Sequence, residues 1–268
     1  MSWFGKILGG TIGFFLGGPL GMIAGAVFGH MIDKSNDLQN GEDSGEQGYS
    51  RRFGDSDRYY FFNTGYNRSQ MVFFVGAFSM LAKLASADGQ VSEGARRKVN
   101  EFMVNDLHLS GQSYQYAQSI FEQALNQNST FENLADQFYE NFRGTPQILN
   151  LMVDIFYRVA MVDGRMSANE ERLIDYAVRV FRIPESIHDS IRRNHNIKGA
   201  SKAYATLGLT ESATEAEIKK AYRKLILEYH PDTIAAKGMA DEFKEYATKR
   251  FREVQEAYES ICKERNIK

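Results

Sequence analysis

Apolar and polar positions divide the chain into four stretches. From Ile7 to Gly29 no charged residue occurs. About 23 residues at about 1.5 Å each give about 34 Å, enough for a hydrocarbon core of roughly 30 Å. That run predicts a single transmembrane helix within residues 1–32. Residues 33–70 are rich in Ser, Asn, Asp, Gly and Arg and hold no sustained period apart from the aromatic island Tyr59-Tyr60-Phe61-Phe62. They predict a flexible linker. From Met71 onward apolar residues recur at three- and four-residue spacing, which predicts a helical domain over 71–194 and a second over 195–268. Proline is scarce, at 4 in 268 residues, and the expected fold class is all-α.

Within the first stretch Gly5, Gly9, Gly13, Gly17, Gly21, Gly25 and Gly29 recur at every fourth position. On a helix they form one slowly winding stripe without side chains, the small-xxx-small pattern of membrane helix contacts. In water each interior glycine costs about 1 kcal/mol relative to alanine, whereas in lipid close backbone approach offsets that cost. The stripe predicts self-association of the membrane segment through Gly9, Gly13, Gly17, Gly21 and Gly25. Competing readings are a flexible glycine-rich lead, an isolated span, or a cleaved signal with Lys6 as its basic region and Ala24-Gly25-Ala26 as its cleavage site. The apolar run is longer than the 7–15 residues usual for a signal. Pro19 adds a kink or break. Lys6 before the span and Lys34, Arg51 and Arg52 after it give only a slight preference for a cytoplasmic C-terminus.

An internal echo marks the third stretch. Lys83-Leu84-Ala85-Ser86-Ala87-Asp88-Gly89-Gln90-Val91-Ser92 parallels Arg158-Val159-Ala160-Met161-Val162-Asp163-Gly164-Arg165-Met166-Ser167. Each copy predicts an apolar helix that stops at Asp-Gly and a second helix capped by serine, with Ser167 and Glu170 as a capping box. The two hairpins are expected to bury each other. This arrangement resembles the TerB-like domain of tellurite-resistance proteins, some of which bind metal through acidic residues. A divalent-cation role for Asp88 and Asp163 is weighed against turn and capping roles, which Asp and Gly fill on their own. An EF-hand is excluded, because the ligand positions hold Leu84 and Ser86 in one copy and Val159 and Met161 in the other. No metal site is assigned.

In the fourth stretch Thr214 with Glu217 signals a helix start. On the helix that follows, Ile218, Ala221, Tyr222, Leu225 and Tyr229 share one side, while Lys219, Lys220, Arg223 and Lys224 fall opposite. Pro231 ends it, because proline disfavours helix at the residue before it. A last helix over about Ala240 to Lys263 carries Phe251, Val254, Ala257, Tyr258 and Ile261. The ordered blocks Tyr204 to Gly208, Lys219-Lys220-Ala221-Tyr222-Arg223-Lys224-Leu225, Tyr229-His230-Pro231-Asp232 and Phe251 to Tyr258 resemble a J domain, a helical hairpin. That resemblance implies that His230, Pro231 and Asp232 engage a DnaK-type chaperone, and that Lys219, Tyr222, Arg223 and Lys224 supply the docking surface. Thr233, where a basic residue is common, and Glu228, where the helix is often basic, depart from the pattern.

The full order, membrane segment, TerB-like domain and C-terminal J domain, resembles the DjlA family of bacterial co-chaperones. The family likeness implies a homodimer in the inner membrane, a short periplasmic N-terminus, a cytoplasmic bulk, stimulation of DnaK ATP hydrolysis, and a link to envelope or capsule regulation. Composition trims the alternatives. A net charge of −2, with Glu215, Glu217 and Glu228 interleaved among the basic residues, argues against a nucleic-acid partner. One cysteine, Cys262, forms no intramolecular disulfide and sits in no nucleophile signature. His188 and His195 lack clustered zinc ligands, and no phosphate-binding loop is present. The expectation is a non-enzyme without a cofactor. Its rival is a membrane-tethered metal or stress sensor in which the TerB-like bundle does the work.

Overall fold

A computed structural model describes residues 17–27, 68–162, 164–196, 202–235 and 238–267. Among them every regular element is helical. Helix α1 covers residues 18–27. Helix α2, Arg68–Ala85, is apolar almost all round and is the central element, packing on α4 (Gly111–Asn126), α5 (Phe131–Phe142) and α6 (Pro146–Ala160). Between α2 and α4 come α3, Glu93–Glu101, and a π-helical turn, Phe102–Asp106. Helices α7, Ala168–Val180, and α8, Glu185–Asn196, close this bundle. Helix α2 therefore begins three residues before the expected Met71.

Both echoed turns fold as capped helix hairpins. Gly89 and Gly164 adopt φ of +111° and +78°, a conformation that glycine enters without a Cβ penalty. Ser92 accepts from the Ala95 amide, and Ser167 with Glu170 forms the reciprocal capping box. The copies touch: the Asn169 amide donates to Asp88 Oδ1 at 2.8 Å. That contact gives Asp88 a structural partner, while Asp163 lies outside the described residues. Among the described residues no group of three or more His, Cys, Asp or Glu is placed to hold a metal ion.

The C-terminal part comprises α9 (Lys202–Thr206), α10 (Glu215–Glu228), α11 (Pro231–Ala235), a 3₁₀ turn (Asp241–Phe243) and α12 (Lys244–Arg265). Helices α9, α10 and α11 all pack on α12. The two expected helical domains share one continuous core. Phe243 is fully buried among bundle rings, 4.8 Å from Phe73, 5.7 Å from Phe78 and 6.4 Å from both Phe74 and Phe102 between centroids. Two glycines make the close approach possible. A Cβ on Gly208 would lie 2.5 Å from that of Ser190 on α8, and one on Gly238 would lie 2.4 Å from that of Ser69 on α2.

Of the expected membrane span, only residues 17–27 are described. Here α1 opens at Gly18, which like Gly17 before it has a positive φ, and lies against the bundle with Leu20, Ile23, Ala24 and Val27 buried. The Gln137 side chain on α5 accepts from the Leu20 amide at 2.9 Å and donates to the Gly17 carbonyl at 2.6 Å. Ten residues make about 15 Å of helix, and among the described residues no helix is long and apolar enough to cross a membrane. The single transmembrane helix is therefore not seen here, and Gly9, Gly13 and most of the 33–70 linker lie outside the described residues. Gly21 and Gly25 are buried in this chain.

Candidate functional site

Helix α10 starts where the sequence placed it. Glu217 donates its amide to Thr214 Oγ1 at 3.3 Å, and its carboxylate accepts from the Thr214 amide at 2.7 Å, satisfying two amides the helix cannot pair internally. The Thr214 amide and hydroxyl, both donating to the Glu217 carboxylate, hold that carboxyl below its ordinary pKa. Ile218 and Leu225 point into the core, and Tyr222 stacks on Tyr258 of α12 with centroids 3.9 Å apart and planes 11° apart. The helix ends at Glu228, with Tyr229 as its C-cap donating to the Leu225 carbonyl.

The next three residues form a compact corner. His230 packs edge-on against Phe251 of α12, centroids 5.5 Å apart and planes at 83°. Pro231 opens α11, where its missing N–H costs nothing and its fixed φ suits the first helical position. Asp232 is exposed, and Ile234 is fully buried beneath. The corner is thus pinned by Ile234 and Phe251 while the carboxylate faces water.

Each expected docking cation has a definite place. Lys219 pairs with Glu215 at 2.6 Å, and that hydrogen bond raises its pKa. Arg223 is exposed, and its Nε donates to the Lys219 carbonyl at 3.2 Å. Lys220 is also exposed. Lys224 differs, since its Nζ donates to Ser186 Oγ of α8 at 3.0 Å. Glu228, one turn further on, accepts from the Asn150 amide of α6. One flank of α10 therefore meets the bundle, Lys219 and Arg223 lie on the side away from it, and exposed Lys220 stands between. Sequence reasoning passed over Leu227, which is 70% exposed one turn after Arg223. Its position outside the core-facing set Ile218, Leu225, Tyr229 was the available signal.

Comparison with known proteins gives three ordered matches. Residues 1–52 match the family described as the co-chaperone DjlA transmembrane domain, residues 75–193 that of tellurite resistance protein TerB, and residues 202–268 that of the DnaJ domain. The co-chaperone protein DjlA of Photobacterium profundum is 30% identical, the match covering 98% of this chain and 99% of that protein. Those of Coxiella burnetii and Escherichia coli are 29% and 26% identical, each with both chains covered in full. No solved structure gave a significant match.

Proposed function

The chain belongs to the DjlA family of co-chaperones, and from that membership and the geometry of the corner at His230 we propose that it stimulates ATP hydrolysis by a DnaK-type chaperone. It is a membrane-anchored J-domain co-chaperone whose partner is of the DnaK type. The observation that carries the finer reading is the corner itself. His230 and exposed Asp232 flank a proline of fixed φ, and Phe251 and Ile234 hold them from behind. A preformed turn loses little freedom on binding.

In this reading the approach is electrostatic and the engagement is local. Lys220, Arg223 and the Lys219–Glu215 pair present a cationic flank that steers an acidic surface on the chaperone, and Leu227 supplies an apolar contact beside it. Asp232 then accepts from a cationic or N–H donor of the chaperone near its nucleotide-binding domain, and His230 offers a ring nitrogen beside it. Hydrolysis itself stays with the chaperone. The direct experiment measures single-turnover ATP hydrolysis by DnaK with and without the full-length chain in detergent or liposomes. A rise in rate that saturates with chain concentration is expected, and an unchanged rate at saturating chain refutes the reading.

Charge can be tested apart from the corner. Lys224 is tied to Ser186, so its reversal would disturb the bundle as well as the stripe. Lys220→Glu with Arg223→Glu is the cleaner pair. It is expected to lower the association rate with ATP-bound DnaK about tenfold or more at low salt and to flatten the remaining salt dependence, with dissociation little changed. Screening lengths fall to about 10 Å at 0.1 M salt, so the parent should itself slow appreciably by 0.3 M. A folded variant that associates at the parent rate with the parent salt slope makes the stripe only a solvated face.

At the other end of the chain we place self-association at Gly9, Gly13, Gly17, Gly21 and Gly25 of the membrane segment. Leucine at Gly9 and Gly13 keeps the segment apolar but adds bulk to the face where helices would approach, and spares Gly17 at its positive φ and buried Gly21. Crosslinking in native membranes should then lose most of its dimer band. An undiminished band rejects the stripe as the contact.

A further inference from the structure

The most heavily partnered buried carboxylate among the described residues lies away from the docking flank, on the TerB-like bundle. Asp154 of α6 is fully buried. Its Oδ2 lies 3.0 Å from Arg250 Nε and accepts from the Tyr246 hydroxyl at 2.7 Å, both partners coming from α12. Its Oδ1 lies 3.0 Å from His195 Nε2 at the end of α8. Burial alone would raise this carboxyl, but Arg250 and His195 outweigh it and hold it well below the usual range. The guanidinium is closed in on its other sides. It pairs with Glu253, and with the Asn194 amide oriented oxygen-first it donates to that oxygen from both terminal nitrogens at 2.7 Å.

Arg250 also lies over the ring of Tyr229, 5.5 Å from its centroid. Tyr229 is the residue before His230, and the next residue on α12, Phe251, carries the His230 ring. One turn before Asp154, Asn150 donates to Glu228, the residue before Tyr229. A single face of α6 therefore grips the end of α10 through Asn150 and, by way of Arg250, the start of the corner. We propose that the Asp154–Arg250 pair positions the His230–Pro231–Asp232 corner, so that the TerB-like bundle sets the competence of the J domain to act on its chaperone. The physical reason is geometric. An unpaired Arg250 would seek water, leave the Tyr229 ring and loosen both neighbours of the corner, and misplacement by about 1 Å can cost about a hundredfold in rate.

This inference rests on the chaperone-stimulating function proposed above, and the test separates the two. Asp154→Asn leaves a buried charge without its partner and would confound folding with positioning. Asp154→Leu with Arg250→Met removes both charges while keeping apolar bulk, a replacement that often preserves stability. Full-length parent and double variant are compared by thermal melting, by hydrogen exchange of the peptide spanning residues 229–235, and by DnaK single-turnover hydrolysis. The expected result is a melting temperature near the parent's, exchange about tenfold or more faster in that peptide but not in 254–262, and maximal stimulation reduced about tenfold at saturating chain. Arg250→Lys provides the second route. A lysine can pair with Asp154 but lacks the planar group that covers Tyr229, so exchange at 229–235 should again rise with melting nearly unchanged. Parent-like exchange at the corner in both variants overturns the proposal, as does parent-like stimulation by a double variant that melts like the parent. A parent chain that fails to stimulate DnaK refutes the function alone, and the exchange comparison still decides the positioning role.

Discussion

Phe243→Ala is expected to destabilise the chain by about 3–5 kcal/mol and to do so in both helical domains at once. The ring is fully buried, with Phe73, Phe74, Phe78 and Phe102 around it and Tyr246 against Phe102 at 5.6 Å. Truncation removes its transfer free energy and leaves a cavity bounded by large, stiff rings that cannot collapse into it. Because Phe243 belongs in sequence to the C-terminal module and in space to the bundle, the loss should not stay local. Hydrogen exchange in α2 and in α12 should accelerate together, and thermal melting of the detergent-solubilised chain should remain one transition at lower temperature. Loss of protection confined to residues 238–267, with α2 unchanged, would mean that the two domains are separate bodies in light contact.

That expectation comes from the part of the fold that local pattern did not reveal. Helix boundaries were legible because their causes are local: Thr214 and Glu217 cap α10, Ser167 and Glu170 cap α7, and Pro231 forbids continuation past Tyr229. The grouping of Lys219, Lys220 and Arg223 was legible for the same reason, since cations at helical spacing fall near one another, whereas Lys224 turns to Ser186. Phe243 and Asp154 carry no such signature. In Asp241-Glu242-Phe243-Lys244 the aromatic residue reads as an ordinary core position of one helix, and Asp154 reads as the polar break in an apolar helix. Their partners stand far away in sequence: Tyr246 lies 92 residues from Asp154, and Phe243 meets the rings of Phe73 and Phe78 on α2. Periodicity is silent about such pairs. The same limit applies to Lys224 and Glu228: their spacing placed them on α10, but only the fold shows that they meet Ser186 and Asn150.

The consequence reaches the choice of material. A fragment containing only residues 195–268 would expose Phe243 and Tyr246 and leave Arg250 without Asp154, so it would not reproduce the corner held in the whole chain. Full-length chain is the proper subject for every functional comparison. The N-terminal segment adds a second reason, since Leu20, Ile23, Ala24 and Val27 lie against the bundle and Gln137 satisfies the backbone there. Those side chains account for part of the apolar surface of α5 and α2, where a Cβ on Gly76 would lie 2.6 Å from the Phe138 ring.

The second large effect concerns the corner itself and decides the central claim. His230 is only partly buried, touches Phe251 by its ring edge, and sits outside any helix. His230→Gln is of similar reach and polar and gives up only the edge contact with Phe251, so it should destabilise the chain by about 1 kcal/mol or less. It cannot present a flat aromatic edge or a ring nitrogen at the same angle, so the engaged state should be lost while the fold remains. The deciding measurement is single-turnover ATP hydrolysis by DnaK at saturating full-length chain, parent against His230→Gln, with matched melting curves. The account predicts a rate raised by the parent and a rate indistinguishable from DnaK alone with the variant. Stimulation by a folded His230→Gln chain equal to that of the parent would contradict it.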